Sequence, residues 1–262
     1  MVKKHVKGSD SERSSADARS STYPVKEMFH CVQHDKFVFL ITNNPGFQLN
    51  YFVFLHMGNG ERKNVYEVYN RIAKWFSENR YTGLLEKNHL DSLIEHLPVE
   101  GTVLDLGCGT GKPILEYLLS KNLKVTGVDA SSEMLEIAKT NFPLTELILQ
   151  DMRLLDLIRK FDAIIAWDSF FHLSTADQPA MFQIFEKHLN RNGILLFTSG
   201  PEHGEAWGMN GGENLFHASL DPEEYESLLS KHHFKVLKHV LNDPDCGGGT
   251  IWMAEYLPPI TF

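Results

Sequence analysis

The sequence predicts an α/β fold: a Rossmann-like, mostly parallel sheet of seven strands, with helices on both faces and an antiparallel hairpin at the carboxyl end. Two observations support this prediction. Short apolar runs alternate with segments of helical periodicity over the central part of the chain, and such alternation is typical of a parallel sheet. Near the end, two further apolar runs flank the turn-forming segment NDPDCGGG, which indicates a hairpin.

Each predicted element is justified by its residues. The apolar runs have the length of buried strands and lie at 102–106, 123–128, 146–150, 161–167 and 193–199, with the hairpin strands at 234–241 and 250–256. Apolar residues at helical spacing predict helices at 64–78, 90–97, 112–121, 132–141 and 176–191, and a last one after residue 221. Capping boxes are predicted where Thr175 precedes Gln178 and where Asp221 precedes Glu224.

The first apolar run of this series ends in a glycine-rich turn. The segment VLDLGCGTGKPI, residues 103–114, joins that strand to the next helix. Its glycines at 107, 109 and 111 allow unusual backbone angles and let a ligand approach the main chain. The amino terminus of the helix adds unpaired N–H groups that attract a polar group of a ligand. We therefore expect a ligand at this turn.

Three residues limit what that ligand can be. Lys112 stands where the dinucleotide-binding pattern G-x-G-x-x-G requires its last glycine. Asp105, two residues before the first glycine, would repel a diphosphate but would suit a cationic group. Asp129 ends the next strand, 22 residues after Gly107 (129 − 107), a spacing suited to ribose hydroxyls. The predicted ligand is nucleoside-like and carries no diphosphate.

At these residues the sequence resembles the class I S-adenosylmethionine-dependent methyltransferases. The matching segments are VLDLGCGTG (103–111), VTGVDAS (125–131), LQDM (149–152) and FDAIIAWDSFFHL (161–173). The resemblance extends from about residue 64 to residue 257. It implies the seven-stranded methyltransferase sheet and S-adenosylmethionine as the cofactor, and it says little about the methyl acceptor.

The resemblance also implies which residues bind the cofactor. The turn after the first strand would line its methionine part, the next turn its ribose and adenine, and the third turn its adenine amino group. These residues are Asp105, Gly107, Cys108, Gly109 and Gly111, then Asp129, Ala130 and Met134, then Asp151 and Met152. Tyr69, on an earlier helix, and Trp167, after the fourth strand, complete the predicted set. Two alternatives stay open, a helix cap for Asp151 and a core aromatic for Tyr69.

Two residues after the fourth strand are candidates for catalysis. Asp168 and His172 lie at the edge where ligands bind in open α/β sheets. We expect Asp168 to contact the cofactor or position the acceptor, and His172 to take a proton from the acceptor. The alternative is that His172 only satisfies a backbone group. The tetrapeptide Asn/Asp-Pro-Pro-Tyr/Phe of amino-methyltransferases is absent, which argues against methylation of DNA bases.

Residues 200–218 are rich in glycine and are predicted to form a long loop that closes over the acceptor as a lid. The predicted residues of the acceptor pocket are Phe171, His203, Trp207 and His217. A metal site from His203, Glu205 and His217 is conceivable, but nothing in the spacing requires one, so we predict no metal.

Composition restricts the partners and the compartment. The net charge of −9 argues against a nucleic acid partner, because phosphate binding requires clustered Lys and Arg. The three cysteines, Cys31, Cys108 and Cys246, form no C-x-x-C pair and suggest a reducing compartment. No secretory signal and no apolar run long enough to span a bilayer is visible, so we expect a cytoplasmic protein without a membrane partner. The oligomeric state does not follow from the sequence.

The first part of the chain differs from the rest. It is Ser-rich and charged and carries no motif, so residues 1–56 are predicted to be a poorly ordered extension or to lie outside the functional protein. Residues 57–262 are predicted to be the methyltransferase domain. The leading hypothesis is methyl transfer from S-adenosylmethionine to a small-molecule acceptor. The alternatives are an NAD-dependent oxidoreductase, which Asp105 and Lys112 disfavour, and a cofactor-binding protein without catalysis.

Overall fold

The computed structural model describes residues 62–259, so the predictions for residues 1–56 lie outside the described part. Seven strands form one sheet in the order β3-β2-β1-β4-β5-β9-β8, and two more form a separate hairpin. The strands are β1 Thr102–Leu106, β2 Lys124–Asp129, β3 Glu146–Leu149, β4 Phe161–Ala166, β5 Leu189–Ser199, β6 Gly204–Asn210, β7 Glu213–Ser219, β8 Phe234–Asp243 and β9 Gly249–Tyr256. The predicted α/β class, with its seven strands and terminal hairpin, is confirmed.

Six helices accompany these strands within residues 62–259. They are α1 Val65–Asn79, α2 Lys87–Ile94, α3 Ile114–Ser120, α4 Ser132–Asn141, α5 Gln178–His188 and α6 Pro222–Lys231. None of the helices in this range is long and apolar enough to cross a membrane. Helix α6 begins with the predicted capping box, in which the Asp221 carboxylate accepts from the third helical N–H and Glu224 accepts from the Asp221 N–H.

The sheet is parallel at its centre and antiparallel at one side. Strand β1 pairs in parallel with β2 and β4, so that Val103 lies between Val125 and Ala163. Strand β9 runs antiparallel to both β5 and β8. Leu104 and Leu106 belong to one core cluster and Val103 to the other. Because both faces of the sheet are covered, β1 carries buried apolar residues on both of its faces, as parallel strands usually do.

The predicted capping box at Thr175 and Gln178 is wrong. Helix α5 begins after Asp177, and its first turn has no side-chain cap. The Gln178 amide is instead buried and donates to the Leu173 and Ala218 carbonyl oxygens, each at 2.9 Å. The side chain satisfies a carbonyl group five positions away and another 40 positions away, and this use outweighs the local cap.

The long loop predicted at 200–218 is also wrong, because this segment forms the β6–β7 hairpin. Trp207 pairs with Phe216 across the two strands, and Gly211 and Gly212 make the turn with φ of 58° and 83°. Two glycines with positive φ are suited to the tight turns that join hairpin strands. The Gly211-Gly212 dipeptide by itself indicates a hairpin turn. The other glycines of the segment led to the prediction of a loop instead.

The hairpin and α1 form a cap that packs on the carboxyl edge of the sheet. Their shared apolar cluster contains Val65, Val68, Leu215, Phe216 and Ala218. Arg62 forms an ion pair with Glu205, and Arg71 forms one with Glu213 at 2.9 Å. These exposed ion pairs contribute little energy, so the apolar cluster is the main connection within the cap.

We predict that Phe170→Ala lowers the free energy of unfolding by about 3–5 kcal/mol, the range for a deleted core aromatic. Phe170 is fully buried, and its ring centroid lies 5.3 Å from that of Phe197 and 5.9 Å from that of Phe185. Urea denaturation measures the loss. Ile158→Ala is the control, because this exposed side chain should change stability by less than about 0.5 kcal/mol. Similar losses in the two variants would contradict the assignment of the core.

Candidate functional site

The glycine turn after β1 is built by backbone hydrogen bonds to β2. The N–H groups of Gly107 and Cys108 donate to the Val128 carbonyl oxygen at 2.7 and 3.1 Å. Gly107, Gly109 and Gly111 all have positive φ, which side chains rarely tolerate. A Cβ atom at 107 would lie 2.3 Å from the Ser169 Cβ, whereas one at 109 would meet no atom within 4 Å. Gly109 therefore leaves open space beside the main chain.

Asp129 connects this turn to the turn after β2. One of its carboxylate oxygens accepts from the Gly109 N–H and the other from the Ser131 N–H, each at 2.8 Å. Burial raises the pKa of Asp129, and the hydrogen bonds from backbone N–H groups reduce that rise. Ser131 in turn caps α4 by accepting from the Met134 N–H. The predicted residues Asp129, Ala130 and Met134 thus lie in one ordered turn.

Asp105 places a second carboxyl group at the same edge. It is buried at the end of β1, and burial together with the charge of Asp129 raises its pKa to about 7, against the opposing charge of Arg80. Cys108 is also buried, and burial raises the pKa of its thiol, so it is not a ready nucleophile. A cation beside Asp105 would relieve the cost of ionising this carboxyl group.

Asp151 fulfils the capping role that was left open for it. Its carboxylate accepts from the Arg153 N–H at 2.9 Å at the start of a short 3₁₀ turn, Met152–Leu154. The Arg153 guanidinium also contacts both carboxylate oxygens. Burial acts to raise the pKa of Asp151, but the bonds from Arg153 outweigh it and lower the pKa. A ligand amino group would share this carboxylate with Arg153. Met152 lies beside Gly107.

A hydrogen-bonded chain joins the cap to the turn after β4. The His172 Nδ1–H donates to the Phe216 carbonyl oxygen at 2.8 Å, which leaves Nε2 to accept from the Tyr69 hydroxyl at 2.9 Å. Burial, together with the nearby His217, lowers the pKa of His172 to about 3, so the ring is neutral at physiological pH. Both ring nitrogens of His172 therefore form hydrogen bonds. The bond to the Phe216 carbonyl oxygen is the backbone contact that the alternative interpretation of His172 predicted. Tyr69 is half-buried and packs against the apolar cluster of the cap.

The predicted pocket residues are only partly brought together. The His217 ring lies 4.8 Å from that of His172 and 5.2 Å from that of Phe171. Burial lowers the pKa of His217 to about 4. Trp207 packs on Phe216 inside the cap, with ring centroids 5.2 Å apart.

His203 does not join this group. It is exposed on the far end of the hairpin, where its Nδ1 lies 2.7 Å from a Glu224 carboxylate oxygen. Glu205 pairs with Arg62, and the His217 ring lies beside that of His172. The conceivable metal set of His203, Glu205 and His217 is therefore not assembled, because the hairpin strands separate its members.

Asp168 lies just after β4 and its side chain is exposed. Its backbone has φ of 47°, an uncommon value for a residue with a side chain, and its N–H donates to the Thr198 hydroxyl at 2.8 Å. The residue is reached by solvent, yet enough protein surrounds it that burial raises the pKa of the carboxyl group to about 6. Trp167, the preceding residue, is buried, with its ring 5.8 Å from that of His89.

Sequence reasoning missed two residues that hold the site together. Asn70 of α1 accepts from the Ser131 hydroxyl at 2.7 Å and fastens the cap to the turn after β2. Ser169 donates to the Leu106 carbonyl oxygen at 2.6 Å and supports the glycine turn from the side of β4. Both bonds link residues more than 60 positions apart, and no local pattern announces them.

Comparison with known proteins agrees with this geometry. A family model described as a methyltransferase domain matches residues 103–193. The chain is 41% identical over 107 residues to a predicted methyltransferase, YqeM of Bacillus subtilis (strain 168), covering 38% of this chain and 43% of that protein. It is 33% identical over 103 residues to a dTDP-3-amino-3,6-dideoxy-alpha-D-glucopyranose N,N-dimethyltransferase of Streptomyces fradiae, covering 38% and 40%. Each alignment spans less than half of the relative.

A solved structure shows the same fold over a larger share of the chain. An S-adenosylmethionine-dependent methyltransferase from Clostridium acetobutylicum ATCC 824 superposes with a TM-score of 0.58 at 19% identity. The superposition covers 73% of this chain and all of that one. The sheet order, the glycine turn with its bridging carboxylate and the match to the methyltransferase domain model agree, and together they support a class I S-adenosylmethionine-dependent methyltransferase.

Proposed function

We propose that this chain binds S-adenosylmethionine in the turns that follow β1, β2 and β3 and transfers its methyl group to a small-molecule acceptor. The observation that carries the proposal is the open space at Gly109, beside the Asp129 carboxylate and next to the buried Asp105. The unobstructed backbone at Gly109 leaves room for a ligand, and the carboxyl groups of Asp105 and Asp129 lie at the same edge of the sheet. These features fit a ligand that has a cationic group at one end and a ribose.

The chain's own residues would bind and orient the cofactor. Asp105 would attract its ammonium group, and Asp129 would use its remaining lone pairs for the ribose hydroxyls. Ala130, Met134 and Met152 offer apolar contacts for the adenine. The cofactor supplies a methyl group already activated on a sulfonium, so the protein has to align the acceptor and exclude water.

The acceptor site is proposed between the cap and Asp168. Tyr69 of the cap and the turn that carries His172 close over this edge, which favours an acceptor small enough to enter. The Streptomyces fradiae relative is named for a nucleotide-linked amino sugar, which is consistent with a small nitrogen acceptor. With a pKa near 6, Asp168 could receive the proton that an amine loses on methylation. His172 would then act as a positioning residue that holds Tyr69.

A binding competition followed by a turnover screen tests the proposal. S-adenosylmethionine, S-adenosylhomocysteine and NAD are titrated into the full chain by calorimetry. Matched amines and alcohols that differ only in the attacking atom are then screened for formation of S-adenosylhomocysteine. Binding of NAD alone would support the oxidoreductase alternative. Cofactor binding without turnover for any acceptor would support a non-catalytic binding protein.

We predict that the affinity for S-adenosylmethionine falls as the pH is lowered from 7.5 to 5.5. Below its pKa of about 7, Asp105 is protonated and must lose the proton before it can attract a cation. Proton linkage then weakens binding by roughly 20- to 30-fold over this interval. Calorimetry at several pH values measures the effect, and Asp105→Asn should flatten the profile. A pH-independent affinity in the unmodified chain would refute the role of Asp105.

We predict that Tyr69→Phe and His172→Ala are coupled. If the Tyr69 hydroxyl donates to His172, the double variant should be more stable than the sum of the single changes implies, by about 0.5–1.5 kcal/mol. Urea denaturation of the four proteins gives this coupling energy. Tyr66→Phe on the same helix is the matched control and should not couple to His172→Ala. Strict additivity of the first pair would contradict the hydrogen bond.

A further inference from the structure

The turn between β8 and β9 brings an aspartate and a cysteine together with a histidine of α2. Asp243 ends β8, Cys246 lies in the turn, and His89 belongs to α2. The His89 Nε2 lies 2.7 Å from a carboxylate oxygen of Asp243. A ring nitrogen of His89, a carboxylate oxygen of Asp243 and the Cys246 Sγ all lie within 4.8 Å of one another. We call these three side chains the His–Asp–Cys cluster.

The cluster is enclosed but reaches the surface on one side. His89 and Asp243 are buried, with exposed fractions of 4% and 8%, whereas Cys246 is half-buried. The His89 Nδ1 is also buried and has no hydrogen-bond partner within residues 62–259. A buried polar atom without a partner is rare, and it indicates a group that the chain itself does not supply. A small ion could enter from the side of Cys246.

The turn holds its two members of the cluster in place. The Asp243 carboxylate oxygen that does not face His89 accepts from the Asp245 N–H at 2.9 Å. The Asp243 carbonyl oxygen accepts from the Gly248 N–H at 2.8 Å. The two glycines after Cys246 have φ of 68° and 84°, which lets the chain reverse directly behind the thiol. The aspartate and the cysteine are therefore positioned by backbone bonds.

The three donor types of the cluster are those of a zinc site. Imidazole, thiolate and carboxylate groups all bind zinc, whereas Ca²⁺ and Mg²⁺ are bound by oxygen atoms. Ligand atoms around a tetrahedral zinc ion lie about 3.3–3.6 Å apart, given zinc–ligand distances of roughly 2.0–2.3 Å. The separations in the cluster, 2.7 Å between His89 and Asp243 and at most 4.8 Å for any pair, bracket this value. Small side-chain rotations would place the three atoms around one ion.

We propose that His89, Asp243 and Cys246 bind one divalent metal ion of the zinc class through an imidazole nitrogen, a carboxylate oxygen and a thiolate. Three protein ligands leave the fourth tetrahedral position to water or to a ligand atom. The sequence alone predicted no metal, and it gave no indication of this site because 154 positions separate the histidine from the aspartate. The inference goes beyond the proposed methyl transfer and does not depend on it.

The competing interpretation is a purely structural cluster. In that case, His89 and Asp243 form a buried hydrogen bond, and the Cys246 thiol only donates to the Leu85 carbonyl oxygen, 3.4 Å away. This interpretation gives the His89 Nδ1 no partner within the described residues. It predicts that no metal ion binds.

The proposed metal site lies at the carboxyl edge of the sheet, close to the proposed acceptor site. Thr250, near the start of β9, pairs with Ser199 at the end of β5, so the β8–β9 turn is at this edge. The His89 ring lies 5.8 Å from that of Trp167, the residue before Asp168. A metal ion bound here would therefore lie near the groups proposed to receive the acceptor.

Metal binding is tested with the ions alone. Zn²⁺, Co²⁺ and Mg²⁺ are titrated by calorimetry into the full chain after dialysis against a chelator. Absorption spectra are recorded with Co²⁺, because a thiolate bound to Co²⁺ gives an intense charge-transfer band. The ligand variants are Cys246→Ser, Asp243→Asn and His89→Gln, which are close in size to the original residues. Thermal unfolding without metal shows whether each protein is folded.

Two control variants separate this site from other metal-binding groups of the chain. His203→Ala removes the histidine of a second group of metal-type side chains in the described part, which is mostly exposed and includes Asp221 and Glu224. Cys31→Ser removes a thiol that lies outside the described residues. Both controls should bind Zn²⁺ and Co²⁺ as the unmodified chain does.

The unmodified chain should bind one Zn²⁺ ion tightly and Mg²⁺ far more weakly, and Co²⁺ should give the thiolate band. Cys246→Ser should abolish the band and weaken Zn²⁺ binding by at least about 100-fold, more than the loss of a group that only orients a ligand. Asp243→Asn and His89→Gln should each weaken Zn²⁺ binding by at least about 10-fold. Zn²⁺ should raise the Tm of the unmodified chain but not that of Cys246→Ser.

Three results would overturn the proposal. They are the lack of a tight Zn²⁺ site in the unmodified chain, a site that Cys246→Ser leaves intact, and a site that either control variant removes. If His89→Gln or Asp243→Asn does not fold, Cys246→Ser and the Co²⁺ spectrum decide the question, because this residue is only half-buried. No S-adenosylmethionine is present in the test, so its failure leaves the proposed function intact.

Discussion

The site depends on the carboxylate of Asp129. Its two oxygens accept from the N–H groups of Gly109 and Ser131, so that the turns after β1 and β2 are held at a fixed separation. These turns are irregular backbone, and without such a partner their N–H groups would be satisfied only by solvent or ligand. Because the same carboxylate borders the open space at Gly109, one residue both builds the turns and faces the candidate cofactor site.

The cap adds a second layer over this edge. It has its own small apolar cluster and is fastened to the domain by polar contacts, among them the bonds of Tyr69 to His172, of Asn70 to Ser131 and of Gln178 to the Ala218 carbonyl oxygen. A unit held by a few polar bonds can separate from the domain at lower cost than a strand of the sheet. This arrangement suits an element that must admit a ligand and then exclude water.

Charge in the site is arranged for a ligand rather than for the stability of the empty protein. Burial raises the pKa values of Asp105, Asp129 and Asp168, which means that the fold disfavours their ionised forms. The free energy of unfolding therefore falls as the pH rises from the ordinary pKa of Asp105 toward about 7, because the unfolded chain releases this proton while the folded protein still holds it. A cationic ligand would reverse this penalty. Arg80 reduces it in part.

The sequence by itself determined the features that depend on neighbouring residues. The apolar runs marked the strands of the main sheet, the glycines of residues 107–111 marked the turn, and Asp221 with Glu224 marked the start of α6. A strand that is buried on both faces of a parallel sheet needs apolar residues at successive positions, which produces a run in the sequence. A capping box involves residues only three positions apart. These patterns are readable because their causes are local.

The tertiary structure alone decided which distant side chains meet. Tyr69 and His172, which form a hydrogen bond, are 103 positions apart. Gln178 was predicted to cap a helix, but it donates to the Ala218 carbonyl oxygen, 40 positions away. The segment at 200–218 forms a hairpin whose apolar residues pack against α1. Contacts of this kind depend on how the elements pack, and no spacing in the sequence records them.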